Sequence, residues 1–135
     1  MPSQSLINGN VSFWYDEIGF PVPNEPLRES IDVDVCIVGA GYTGMWTAYY
    51  LKQAAPELSV VILEKEFAGF GASGRNGGWL TNSVTGGREQ YVSTHGKAAA
   101  LAIQLAMNHT VEEVIRVCLA EGIDADIVKG GELNV

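Results

Sequence analysis

The stretch Asp32-Val-Asp-Val-Cys-Ile-Val-Gly39-Ala-Gly41-Tyr-Thr-Gly44 decides how the rest of the chain is read, because an apolar run breaks there into a G-x-G-x-x-G turn. The turn alone is a short and common pattern, and its weight comes from its context. Upstream, Val33, Val35, Ile37 and Val38, with Cys36 as a small hydrophobe, make the β-branched run expected of a parallel strand buried on both faces. Asp32 and Asp34 interrupt it only at its start, where a carboxylate can reach water. Downstream, residues 43–54 lack proline and set Gly44, Ala48 and Leu51 on one helical face. The pattern therefore predicts strand, tight turn and helix. Gly39 permits the turn, Gly41 lets backbone approach a phosphate, and Gly44 lets the helix lie close on the sheet. The helix N-terminus, starting near Thr43, offers unpaired N–H groups and the positive end of its dipole to an anion.

Pro56 ends the helix, and Leu58-Ser-Val-Val-Ile-Leu63-Glu64 is a second apolar run that finishes on an acid. That acid is where a ribose hydroxyl would be held. A carboxylate aimed at the ribose repels a 2′-phosphate, which argues against NADP and leaves NAD or the adenosine half of FAD. The fold class this predicts is α/β, built on a Rossmann-like βαβ unit that is incomplete. Only one such unit is evident in 135 residues, and a nucleotide-binding sheet needs at least a third strand. The chain thus reads as the opening portion of a larger enzyme.

Sixteen acids against eight bases give a formal charge of −8, which argues against nucleic acid or an anionic membrane as a partner. The apolar runs fall short of a membrane span and the N-terminus lacks a leader pattern, so a cytoplasmic location is expected. Cys36 and Cys118 have neither metal-ligand nor disulfide-scaffold spacing and read as core residues, and no metal site is expected. His95 and His109 lack a neighbouring thiol or clustered acid, which leaves them without a ligand or base role.

Residues 1–30 contain Ser12-Phe-Trp-Tyr15 and then Pro21, Pro23 and Pro26, the composition of an extended arm. Its aromatics are expected to pin the arm to the folded body more than to line a site. A second glycine-rich stretch, Phe67-Ala-Gly-Phe-Gly-Ala-Ser-Gly-Arg-Asn-Gly-Gly-Trp79, cannot be a regular element. Ordering so much glycine is entropically costly, and that cost makes sense where backbone passes close to a ligand. Ser73, Arg75 and Asn76 add a hydroxyl, a guanidinium fork and an amide suited to phosphate and ribityl oxygens.

Gly39-Ala-Gly-Tyr-Thr-Gly44, Leu63-Glu64-Lys65 and Gly71-Ala72-Ser73-Gly-Arg75-Asn76-Gly77-Gly78 together resemble the N-terminal portion of the FAD-dependent oxidoreductases of the D-amino-acid oxidase superfamily. The likeness is in particular to the amine and amino-acid oxidoreductases similar to gamma-glutamylputrescine oxidase, and it covers the chain from about Ser12 onward. It favours FAD over NAD. The resemblance implies that Gly39, Gly41, Thr43 and Gly44 hold the pyrophosphate and that Glu64, beside Lys65, holds the adenosine ribose. It also implies that Ala72, Ser73, Arg75, Asn76 and Gly77 run along the pyrophosphate and ribityl chain. The reaction it implies is hydride transfer to flavin from the carbon bearing nitrogen of a small amine or amino acid, giving an imine that water hydrolyses. The rival reading is an NAD-binding module that senses redox state and catalyses nothing.

Residues 96–121 are rich in alanine and leucine, and Leu101, Leu105, Val111, Val114, Ile115 and Cys118 can share an apolar face. Thr110 with Glu113 could cap a fresh helix, so the stretch is either one long helix or two with a break near Asn108, and Gly122 is a plausible stop. Residues 127–135 read as strand, Gly-Gly turn, strand. The expected organisation is an arm over 1–30, the N-terminal part of an FAD-binding domain over 31–122 and the start of a substrate domain over 123–135.

Overall fold

The computed structural model describes residues 11–131, in two compact units that divide between Gly77 and Gly78. In the first unit, a short helix α1 (Phe13–Ile18) precedes strand β1 (Val35–Val38), helix α2 (Tyr42–Ala54) and strand β2 (Val60–Leu63). The strands pair in parallel, Val35 with Val60 through Val38 with Leu63, so β1, α2 and β2 form one βαβ unit. A 3-10 turn, Ala72–Gly74, closes the glycine-rich stretch. The first unit is thus a mix of helix and strand with a small parallel sheet.

The register of the sheet is set at its entrance. Asp34 N–H donates to Ser59 Oγ at 2.9 Å, while Asp34 Oδ2 accepts from Ser59 N–H at 2.8 Å and from Ser59 Oγ at 2.7 Å. The expectation that Asp34 tolerates its place at the strand start therefore holds for a stronger reason: the carboxylate is one half of a clasp. At the far end of α2 the chain stops at Ala54, two residues before Pro56, as proline requires of the residue that precedes it. Lys52 then folds over the exit and donates to the carbonyls of Pro56 and Leu58, neutralising the helix's negative end.

The strand reading needs one correction. Side chains alternate across β1, with Val35 and Ile37 half-buried and Cys36 and Val38 exposed. Helix α2 packs on the Ile37 side, where a Cβ on Gly44 would lie 3.2 Å from Ile37 Cγ2. The opposite face has no cover among the described residues, so Val38 is 87% exposed and Cys36 is a surface thiol, not a core residue. The N-terminal segment is corrected too. It is extended only after residue 18, because the three prolines begin at 21 and leave the aromatic run before them free to form α1.

In the second unit, α3 (Gly87–Ala120) starts well before the expected residue 96 and is interrupted at Gly96, whose φ of 84° is non-helical. Of the two expected readings of the stretch beyond Gly96, one continuous helix holds and there is no break at Asn108. Its Oδ1 accepts from Asn82 Nδ2 and Gln104 Nε2, and the Thr110 hydroxyl donates back to the Ala106 carbonyl at 2.9 Å instead of capping a new helix. Glu113 pairs with Arg116. The expected apolar face is only partly covered: Val117 is buried and Val111, Val114, Ile115 and Cys118 are half-buried, whereas Leu101 and Leu105 are exposed. Gly122 does stop the helix, at φ 65°, with Ile123 N–H reaching back to Cys118 O at 2.8 Å in the six-to-one bond of a Schellman cap. Residues 123–131 contain no strand, contrary to the expected hairpin; 132–135 lie outside the described residues.

Candidate functional site: two glycine turns joined at the start of α2

Strand β1 runs into Gly39, whose N–H donates to Leu63 O at 2.7 Å and whose φ of 98° turns the chain toward α2. Only glycine adopts that angle without strain. Gly44 is needed for a different reason. A Cβ there would sit 2.1 Å from the Gly39 carbonyl oxygen, so the first turn of α2 rests directly on the strand's exit. Ala40, between these contacts, is buried and has both backbone groups occupied. Its N–H donates to Glu64 Oε2 at 2.8 Å and its carbonyl accepts from Gly69 N–H at 2.9 Å. The acid at the end of β2 and the glycine-rich stretch are thus both fastened to the turn.

Helix α2 begins at an N-cap, Gly41, that has no side chain to offer. The missing acceptor comes from Ser73, whose Oγ takes the Tyr42 N–H at 2.9 Å. A Cβ on Gly41 would lie 3.0 Å from that same oxygen. Met45 N–H is satisfied by Gly41 O, which leaves the N–H groups of Thr43 and Gly44 as helix-end donors without an intrahelical acceptor. These are the groups that bind anions at helix N-termini.

The glycine-rich stretch repeats the geometry of the first turn. Gly69 has φ 81°, and a Cβ on Gly74 would lie 2.2 Å from the Gly69 carbonyl oxygen. In sequence it is Gly69-Phe-Gly71-Ala-Ser-Gly74, a second G-x-G-x-x-G, and this repeated spacing is the signal by which the contact between the two turns could have been anticipated. Around Gly39, Gly71 and Gly77 a Cβ would meet nothing within 4 Å, so the joined turns keep an open side. A pyrophosphate fits this set: the helix-end N–H donors of Thr43 and Gly44, with the Ser73 hydroxyl standing beside Gly41 next to them.

Residues 34–135 match the family model described as FAD dependent oxidoreductase. The chain belongs to this family of FAD-dependent oxidoreductases. It is 39% identical over 109 residues to the Gamma-glutamylputrescine oxidoreductase of Escherichia coli (strain K12), an alignment covering 81% of this chain and 25% of that protein. It is 34% identical over 89 residues to the Probable oxidoreductase OrdL of Haemophilus influenzae, covering 66% of this chain and 20% of that protein. The chain therefore spans a quarter or less of the length of these relatives. No solved structure matches it.

The cofactor of the FAD-dependent oxidoreductase family sets the terms for the remaining residues. Glu64 is exposed, and its Oε1 accepts from the N–H groups of Lys65 (2.9 Å) and Glu66 (3.1 Å). The Ala40 N–H, with that of Glu66 and then Lys65, holds its carboxyl below the usual carboxylate value. With three acceptor sites filled, the carboxylate keeps one lone pair for a hydroxyl donor. The Lys65 ammonium is exposed and lies 3.8 Å from Glu66 Oε1. Thr43 faces outward on α2, beside Trp46, Thr47 and Tyr50, and its carbonyl accepts from the Thr47 hydroxyl.

In the 3-10 turn, the Ala72 carbonyl accepts from Arg75 N–H at 3.2 Å. Asn76 Nδ2 donates to Ser73 O at 2.8 Å and to Tyr42 Oη at 3.3 Å, tying the end of the loop to the start of α2. Arg75 is engaged mainly within its own unit. Its Nε donates to Phe70 O at 2.8 Å, its Nη1 to Val11 O at 3.3 Å, and its guanidinium stands over the Phe70 ring. The residues missed from sequence are Ala40 and Tyr42, which are held through their backbone N–H groups, where no side-chain signature marks them. Among the described residues, no helix is long and apolar enough to cross a membrane.

Proposed function

We propose that the protein carrying this chain oxidises the C–N bond of a small amine or amino acid, and that residues 31–122 are the N-terminal part of its Rossmann-like FAD-binding domain. The observation that carries this reading is the joining of two glycine turns through Ser73 and Ala40, one at the N-terminus of α2 and one on the segment that follows the ribose-facing acid. A single turn would serve any dinucleotide; the second gives backbone and polar groups enough to follow a longer cofactor toward its reactive ring. The NAD-sensing alternative has no use for it and is set aside.

In this reading Gly41, Thr43 and Gly44 receive the pyrophosphate on backbone N–H groups, Gly39, whose own N–H is held by the Leu63 carbonyl, shapes the turn beneath it, and Glu64 takes a ribose hydroxyl on its remaining lone pair. Ser73, Asn76 and the unused donors of Arg75 flank the chain toward the ring, with Ala72 and Gly77 giving it backbone clearance. When bound, FAD supplies the acceptor for a hydride leaving the carbon that bears nitrogen, and the resulting imine is hydrolysed by water. The name of the Escherichia coli relative makes gamma-glutamylputrescine the first amine to try. Residues 1–30 are read as a docking segment and 123–135 as the start of the substrate domain. The composition favours a cytoplasmic enzyme.

The test is the visible absorbance of the purified intact protein, followed anaerobically as amines are added. The expected result is a bound-flavin spectrum that bleaches with a primary or secondary amine. A protein without flavin that binds NAD would refute the proposal.

A further inference from the structure

The N-terminal segment does more than lie against the first unit. Trp14 Nε1–H donates to Asn76 O at 2.7 Å, and Tyr15 Oη–H donates to Ala68 O at 3.1 Å. These bonds grip both ends of the second glycine turn. The Tyr15 hydroxyl is wedged between the turn's two close-packed glycines, since a Cβ on Gly69 or on Gly74 would lie 3.0 Å from it. Its ring is buried, stacked on Phe20 at 5.7 Å and edge-on to Phe67 at 5.0 Å.

Trp14 is different: it is 40% exposed, edge-on to Phe13 at 5.3 Å, and its indole N–H is committed to the loop. Its indole bond leads to the α2 N-terminus: Trp14 holds the Asn76 carbonyl, the Asn76 amide holds the Ser73 carbonyl, and the Ser73 hydroxyl holds the Tyr42 N–H. We infer that Trp14 and Tyr15 are positioning residues for the cofactor, fixing the 68–76 loop so that Ser73 stays over the helix N-terminus. The inference rests on the FAD reading above. Neither residue touches the reacting atoms; each acts through the loop.

The experiment is an FAD titration of the intact protein stripped of flavin, read by flavin fluorescence, for wild type, Trp14→Phe and Tyr15→Phe. Melting of each apoprotein is followed in parallel. Each substitution removes one hydrogen-bond donor and keeps an aromatic ring, so the dissociation constant should rise about five- to tenfold, beyond whatever small fall in apo melting temperature the lost bond brings. A residue that only docks the segment would shift melting and leave FAD affinity of the folded apoprotein as in wild type. FAD affinity equal to wild type in Trp14→Phe overturns the inference, and does so even if Tyr15→Phe fails to fold. A wild-type protein that binds no FAD would instead overturn the proposed function.

Discussion

The Ser73 hydroxyl accepts a hydrogen bond from the backbone N–H of Tyr42, 31 residues earlier in the chain, and so caps a helix whose own N-cap is glycine. Glycine at that position leaves room for Ser73, whose oxygen would lie 3.0 Å from a Cβ there, and the cap is supplied from the partner turn. One contact thus fastens the two turns together and satisfies a helix-end donor.

Replacing Ser73 by alanine removes the cap. Stability should fall by about 1 kcal/mol, the usual cost of losing an N-cap side chain, and FAD affinity should fall with it. Chemical denaturation with and without FAD reads both effects. Unchanged stability would mean that the Tyr42 N–H is satisfied elsewhere.

Gly44→Ala and Gly74→Ala should each destabilise by about 3 kcal/mol, since overpacking against backbone cannot be relieved by a side-chain rotation. The new Cβ would stand 2.1 Å from Gly39 O in one case and 2.2 Å from Gly69 O in the other. Gly71→Ala, which meets nothing within 4 Å and has φ −73°, should leave stability within about 0.5 kcal/mol of wild type. Equal effects at all three positions would contradict the proposed packing.

Acid should weaken the first unit. Asp34 is held below its ordinary value of 3.8 by the Ser59 hydroxyl and N–H, and Glu64 below 4.5 chiefly by the Ala40 N–H. A depressed carboxyl contributes stability that is complete above the unfolded value and is lost as pH falls through the folded one. Melting temperature should therefore drop below about pH 4, with a shallower acid slope in Asp34→Asn. The causes are hydrogen bonds, so added salt should change the slope little. A slope unaffected by Asp34→Asn would remove the clasp from the account.

Ser12 is buried, and its hydroxyl has no hydrogen-bond partner among the described residues. A desolvated hydroxyl left unpaired is a cost, so Ser12→Ala should raise stability by up to about 1 kcal/mol. Thermal melting decides it: a fall would mean that the hydroxyl is paired in solution.

Much of the βαβ unit was legible because its signals are local. The β-branched runs, the glycine spacing, Pro56 and the Gly122 stop each act within a turn or two of where they stand, and the helix and strand bounds follow closely. What was not legible depended on partners far along the chain. Ser73 reads as a ligand contact until its oxygen is found over Tyr42, and Trp14 reads as bulk hydrophobe until its N–H is found on Asn76. Cys36 looked buried because its strand is apolar throughout, yet one sheet face has no cover among the described residues. The run of α3 past Asn108 is one of the two readings its alanine- and leucine-rich sequence allows, whereas its interruption at Gly96 rests on glycine's access to positive φ.

Hydrogen exchange of the intact apoprotein with and without FAD tests the central claim most directly, since it reads the backbone N–H groups themselves. If the joined turns are the cofactor site, amides in 39–45 and in 69–77 slow together when FAD binds. FAD binding that protects neither stretch would contradict the account.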